Sequence, residues 1–75
     1  MNNINVGQLI RNELTRQERS VAWLARKIMC DRTNIYRIFA KESIDTELLV
    51  RISNALNHNF FNDIAATVED RLSNK

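Results

Sequence analysis

The chain contains no proline, and glycine, cysteine and histidine occur once each, as Gly7, Cys30 and His58. With the usual turn residues missing, the elements must be separated by polar caps and short polar connections. One cysteine cannot close an internal disulfide, whereas a secreted chain of this length usually carries several. One cysteine and one histidine are also too few soft ligands for a zinc site. No apolar run approaches the roughly 18 residues of a membrane span. The opening "MNNINVGQLIRNEL" has neither the basic nor the apolar region of a signal peptide, so a cytoplasmic location without a membrane partner is expected. No Gly-rich loop is present to cradle phosphates, and His58 has no Ser, Cys or carboxylate pair arranged near it as nucleophile and base. The expectation is no enzyme, no cofactor and no small-molecule ligand, with His58 hydrogen-bonded to backbone carbonyls at a helix end.

What is present is a chain of 75 residues, 44% hydrophobic and 27% charged. That is too apolar for a disordered tail and too mixed for a membrane protein. It is long enough for one small core, so residues 1–75 are read as a single domain. The net charge is only +2, but it is unevenly placed. Residues 11–41 carry Arg11, Arg16, Arg19, Arg26, Lys27, Arg32, Arg37 and Lys41 against Glu13, Glu18 and Asp31. The remainder is acidic, with Glu42, Asp45, Glu47, Asp63, Glu69 and Asp70 against Arg51, Arg71 and Lys75. A basic middle suggests a surface that faces a polyanion.

Apolar spacing gives five helices and no strand alternation of useful length. Val6, Ile10 and Leu14 recur every four residues beside Leu9, predicting a first helix over about 6–17. Asn5 is its cap, Gln8 stands at the capping-box position, and Ile4 and Leu9 form a hydrophobic staple. Ser20 caps "VAWLARKI", a second helix barely two turns long with Val21, Leu24, Ala25 and Ile28 on one face. Asp31 caps a third over about 32–39, with Ile35 and Ile38 inward. Asp45 caps a fourth over about 46–56, stapled by Ile44 and Leu49, with Leu48, Ile52, Ala55 and Leu56 in its stripe. Phe60, Phe61, Ile64, Ala65, Val68 and Leu72 predict a fifth over about 61–72. The second and third helices, joined by only "MCD", should cross steeply as a helix-turn-helix unit.

That unit, "SVAWLARKIMCDRTNIYRIF", carries Ala25 as the small residue at the crossing, with Leu24 and Ile28 before the turn and Ile35 and Ile38 after it. It resembles the lambda repressor and Cro type of helix-turn-helix domain. The chain looks most like a group of short, single-domain bacterial regulators that share "CDRTN-Y-IF", "ESIDTELL-RIS" and "LNH-FF", pieces covering residues 30–61. The resemblance implies an all-α, five-helix, lambda repressor-like fold that binds double-stranded DNA, with the third helix in the major groove and the second across the backbone. It implies a transcriptional regulator, and a repressor because nothing in these residues is appended for activation.

Carried onto this sequence, the resemblance assigns Arg32, Thr33, Tyr36 and Arg37 to the groove. The helical spacing agrees, since Arg32, Thr33 and Tyr36 point away from Ile35 and Ile38, with Arg37 and Asn34 at the edges. Arg32 suits a guanine edge, Arg37 a base or a phosphate, and the Thr33 methyl a thymine. Asn34 can pair with adenine, or contact a phosphate or the local turn. Arg19, Ser20 and the amides at the start of the second helix are expected to clamp a phosphate, and Lys41 another. Two positions depart from the wider class: Val21 stands where glutamine is usual, and Met29 where the turn usually holds glycine. Trp23 has two readings, as peripheral core over the first helix or as part of a partner surface. Cys30 is expected to pack as a small apolar residue. Val68 and Leu72 extend past what the core needs and are candidates for a homodimer contact. The competing expectation is a protein-interaction module, such as an antitoxin-like or complex subunit on the same fold.

Overall fold

The computed structural model describes residues 4–73. It is all-α, with five helices in the order α1 (Val6–Arg16), α2 (Val21–Lys27), α3 (Arg32–Phe39), α4 (Thr46–Leu56) and α5 (Phe60–Ser73), and no strand among the described residues. Three helices begin as their cap residues dictate. The side chains of Asn5, Ser20 and Asp45 accept from the amides of Gln8, Trp23 and Leu48 at 3.0, 3.0 and 2.8 Å, each satisfying one donor that the first helical turn leaves open. Two expectations need correction. The Gln8 side chain runs forward to donate to Asn12 at 2.8 Å, so only half of a capping box is seen. Asp31 stands at the N-cap in extended geometry but makes no side-chain cap bond.

Helix ends are built without glycine. Glu18, Met29 and Asn57 take left-handed backbone with φ of 57°, 58° and 52°. In each case the next residue donates back across the last turn: Arg19 to Leu14 at 3.1 Å, Cys30 to Ala25 at 2.9 Å and His58 to Ser53 at 3.0 Å. This is the Schellman closure, normally made by glycine because a Cβ is penalised there. It stops α1, α2 and α4 and turns the chain sharply into the next element.

The core joins Val6, Ile10 and Leu14 of α1, Leu24 and Ala25 of α2, Ile35 and Ile38 of α3, Leu49, Ile52 and Leu56 of α4, and Phe60, with Ile28 at the end of α2. α2 packs on α3, and α1 and α4 each pack on this pair or beside it. The one glycine sits where α1 meets the end of α3. A Cβ on Gly7 would lie 2.3 Å from the Ile38 carbonyl oxygen, 2.5 Å from that of Phe39 and 2.6 Å from that of Lys41. The absence of a side chain lets the amides of Val6 and Gly7 donate to the carbonyls of Glu42 and Lys41, both at 2.9 Å. The positive end of α1 is thereby seated on the negative end of α3.

Only Phe60 of α5 is fully buried. Phe61 and Ile64 cover the core partly, and the rest of α5 continues past it, in a molecule with extents of 42 × 23 × 21 Å. No helix among the described residues is long and apolar enough to cross a membrane.

Candidate functional site

α3 is two turns long and contains no acidic residue. Ile35 and Ile38 are buried, and Arg32, Thr33, Asn34, Tyr36 and Arg37 are all exposed. At about 100° per residue, Thr33 and Ala40 stand opposite the buried pair, with Tyr36 and Arg37 on either side of that crest. Arg37 therefore projects outward as fully as Tyr36 rather than lying at the edge. Arg32 instead lies toward α2, where it lines a groove of about 340 Å³ with Ala22, Ala25, Arg26, Cys30 and the carboxylate-bearing Asp31. The Tyr36 ring is braced edge-on by Phe39, at 6.0 Å between centroids and 89° between planes. That brace holds an aromatic face outward while Phe39 tucks against the core.

Both flanks of α3 are cationic. On the side of Tyr36, a groove of about 440 Å³ is lined by Arg11, Thr15, Arg19, Val21, Tyr36, Phe39 and Ala40 over Leu14. Arg19 stacks on the Trp23 ring at 4.5 Å, and the Lys27 ammonium lies 5.6 Å from the same ring. Trp23 is half-buried against the core, so it serves as a platform that positions Arg19. Spacing alone could not reveal this, because the arginine precedes α2 and reaches over it only after the left-handed turn at Glu18. Ser20 is exposed beside it, its oxygen engaged by the Trp23 amide.

On the side of Arg37, a second groove of about 350 Å³ runs between α3 and α4, lined by Asn34, Arg37, Lys41 and Arg51 over Ile28, Met29, Cys30, Ile38 and Leu48. Met29 is 89% exposed and takes left-handed backbone, answering the question raised by the missing glycine. Cys30 is half-buried with its thiol pushed up, chiefly by burial and then by Asp31; a thiol held protonated is a packing residue, not a nucleophile. The sequence reading missed Arg11 and Arg51, because each lies outside the α2–α3 segment. Arg11 could have been found from its place in the basic middle, whereas Arg51 stands in the acidic remainder and no sequence signal pointed to it.

His58 behaves differently from expectation. Its Nε2 is paired with Asp63 Oδ2 at 2.8 Å and its Nδ1 faces Glu13 Oε1 at 3.7 Å, so its partners are carboxylates rather than backbone carbonyls. The ring also packs edge-on against Phe60 at 4.7 Å. Glu13 is the one buried charged residue among those described. Arg16 holds it through Nε at 2.9 and 3.1 Å and through Nη2, and Gln17 donates to it at 2.7 Å. The Arg16 hydrogen bond leads in lowering its carboxyl to about 2, against the opposing effect of burial, with Gln17 and His58 adding to the stabilisation. Gln17 also reaches the Leu56 carbonyl at 2.8 Å. The cluster ties the ends of α1 and α4 and the start of α5 together, a structural task. No group of three His, Cys, Asp or Glu among the described residues could hold a metal ion.

Val68 and Leu72 are 47% and 60% exposed and continue the Ile64 face of α5 at four-residue spacing. Arginine and lysine on both sides of a hydrogen-bonding crest can hold anions at two places while the crest reads whatever lies between them. Comparison with protein-family models, curated proteins and solved structures gives no match to this chain.

Proposed function

We propose that the chain binds double-stranded DNA sequence-specifically as a transcriptional regulator, with α2 and α3 acting as a helix-turn-helix and α3 entering the major groove. The observation that carries the reading is the acid-free outward face of α3 lying between two cationic grooves. A helix with its side chains is about 10–12 Å across, and a major groove about 12 Å wide accepts it with phosphates on either side. In this reading Arg32 binds a guanine edge, Thr33 and Tyr36 contact bases at the crest, and Arg37 contacts a base or a phosphate. Asn34 contacts a base or a phosphate. Arg19, Ser20 and Lys41 hold phosphates. Met29 and the left-handed turn set the pitch at which α3 leaves α2. A domain seated this way obstructs other proteins on the same DNA, so repression is the proposed sense of regulation. Val68 and Leu72 would join two copies, which then read half-sites about 34 Å apart.

The alternative, a protein-interaction module, calls for apolar surface where α3 presents cations. Fluorescence anisotropy on duplex DNA over a range of salt separates the two. Binding should weaken steeply as salt rises, with a linear dependence of log affinity on log salt. A flat dependence, or no binding to any duplex in a random-sequence selection, refutes the DNA reading.

A further inference from the structure

We infer that the groove between α3 and α4 grips a backbone phosphate of the duplex, and that Arg51, on α4, is its organising residue. The inference rests on the DNA reading and adds to it a contact from outside the α2–α3 unit. Arg37, Lys41 and Arg51 line the groove together with the Asn34 amide, and no carboxylate lines it. Arg51 is the one basic residue of α4. Its Nη2 donates to the Ile28 carbonyl, at the C-cap of α2 where the helix leaves acceptors open. A guanidinium has five N–H groups in a planar fork. One is spent on Ile28, which fixes the fork's direction, and the others remain for an acceptor in the groove.

The chemistry that fits is a tetrahedral oxyanion. Two arginines, a lysine and an asparagine line one groove of about 350 Å³, and arginine binds phosphate oxygens through two parallel bonds. The place in the fold selects duplex phosphate as its source. Asn34, Arg37 and Lys41 lie on one flank of α3, whereas Tyr36 and Phe39 line the Arg11 and Arg19 groove on the other. The two grooves therefore face the two strands that border the major groove. Arg51 is far from α3 in sequence but is brought to its flank because α2, and hence the Ile28 carbonyl, packs on α4.

The test uses the full chain and a random-sequence duplex of two helical turns, with affinity measured against salt. Arg51→Gln keeps an N–H donor for the Ile28 carbonyl and removes the charge, and Arg51→Lys keeps the charge and removes the fork. The Gln variant should melt close to the unsubstituted protein and show a log–log salt slope smaller by about 0.9, the value of one phosphate contact. The Lys variant should retain the original slope. A Gln variant with an unchanged slope, or Lys and Gln variants that lose slope equally, overturns the phosphate role and leaves Arg51 as a cap for α2. In both those outcomes the unsubstituted protein still binds with a steep slope. A flat slope in the unsubstituted protein instead overturns the DNA reading and this inference together.

Discussion

Substituting Gly7 by alanine tests whether the seating of α1 on α3 is a rigid contact. The new Cβ would meet three backbone oxygens at 2.3, 2.5 and 2.6 Å, where ordinary contact begins at 3.4 Å. Backbone oxygens cannot rotate away, so α1 must retreat by about 1 Å. That retreat stretches the two 2.9 Å bonds from Val6 and Gly7 to Glu42 and Lys41. Overpacking of this kind costs about 1–3 kcal/mol, and weakening a hydrogen bond about 1 kcal/mol. Against this, alanine gains at most about 1 kcal/mol of helix propensity over glycine. The net expectation is a loss of about 2 kcal/mol, which in a domain of this size lowers the melting temperature by about 8–16 °C. Thermal unfolding followed by circular dichroism reads it directly. A variant that melts at or above the temperature of the unsubstituted protein would show that propensity outweighs the contact, and the account of why glycine stands here would be wrong.

Three further outcomes are expected. Glu13 is held at about 2 in the folded chain against 4.5 ordinarily; since the folded value is the lower, its stabilisation is complete above about pH 4.5 and is lost as pH falls through about 2. Arg16 is largely exposed and its charge is screened, so Glu13→Gln should remove about 1–2 kcal/mol of that acid dependence, seen as a flatter plot of urea midpoint against pH; an unchanged plot would contradict the assignment. Arg32→Ala should weaken binding to a selected DNA site by about 5–150-fold, from about 1–3 kcal/mol of base discrimination, with little change on random duplex; equal losses on both would move Arg32 to the phosphate contacts. On the proposed pairing of two copies through α5, Leu72→Asp should shift sedimentation toward the monomer, with any loss of melting temperature confined to concentrations at which the unsubstituted chain associates; an unchanged sedimentation profile would refute a contact at Leu72.

The helices were legible because their apolar residues recur at helical spacing and polar caps precede them. Asn5, Ser20 and Asp45 cap as expected, and the boundaries of α2, α3, α4 and α5 fall within one residue of the spacing-based limits. α1 stops at Arg16, with Gln17 as its cap, one residue short of its expected end. The outward placement of Thr33 and Tyr36 also followed from periodicity, whereas Arg37, expected at the edge, projects outward and Arg32, expected outward, lies toward α2. What could not be read were contacts between residues distant in sequence. Glu13 looks like an ordinary surface acid until α4 and α5 bring His58 to it, and Arg51 looks solvated until α2 offers it the Ile28 carbonyl. Met29 left two turn shapes open, because a non-glycine residue in left-handed backbone is disfavoured locally and is decided by the packing of the helices it joins.

The three glycine-free helix ends leave the chain with a stability reserve that substitution can release. Each non-glycine residue in left-handed geometry forgoes about 1 kcal/mol relative to glycine, less for asparagine. Glu18 and Asn57 lie outside the Arg37–Arg51 groove, so glycine at both would harden the scaffold while leaving that groove's lining untouched. A hardened version would tolerate costly exchanges on the exposed face of α3, making the domain a scaffold on which that face can be varied freely.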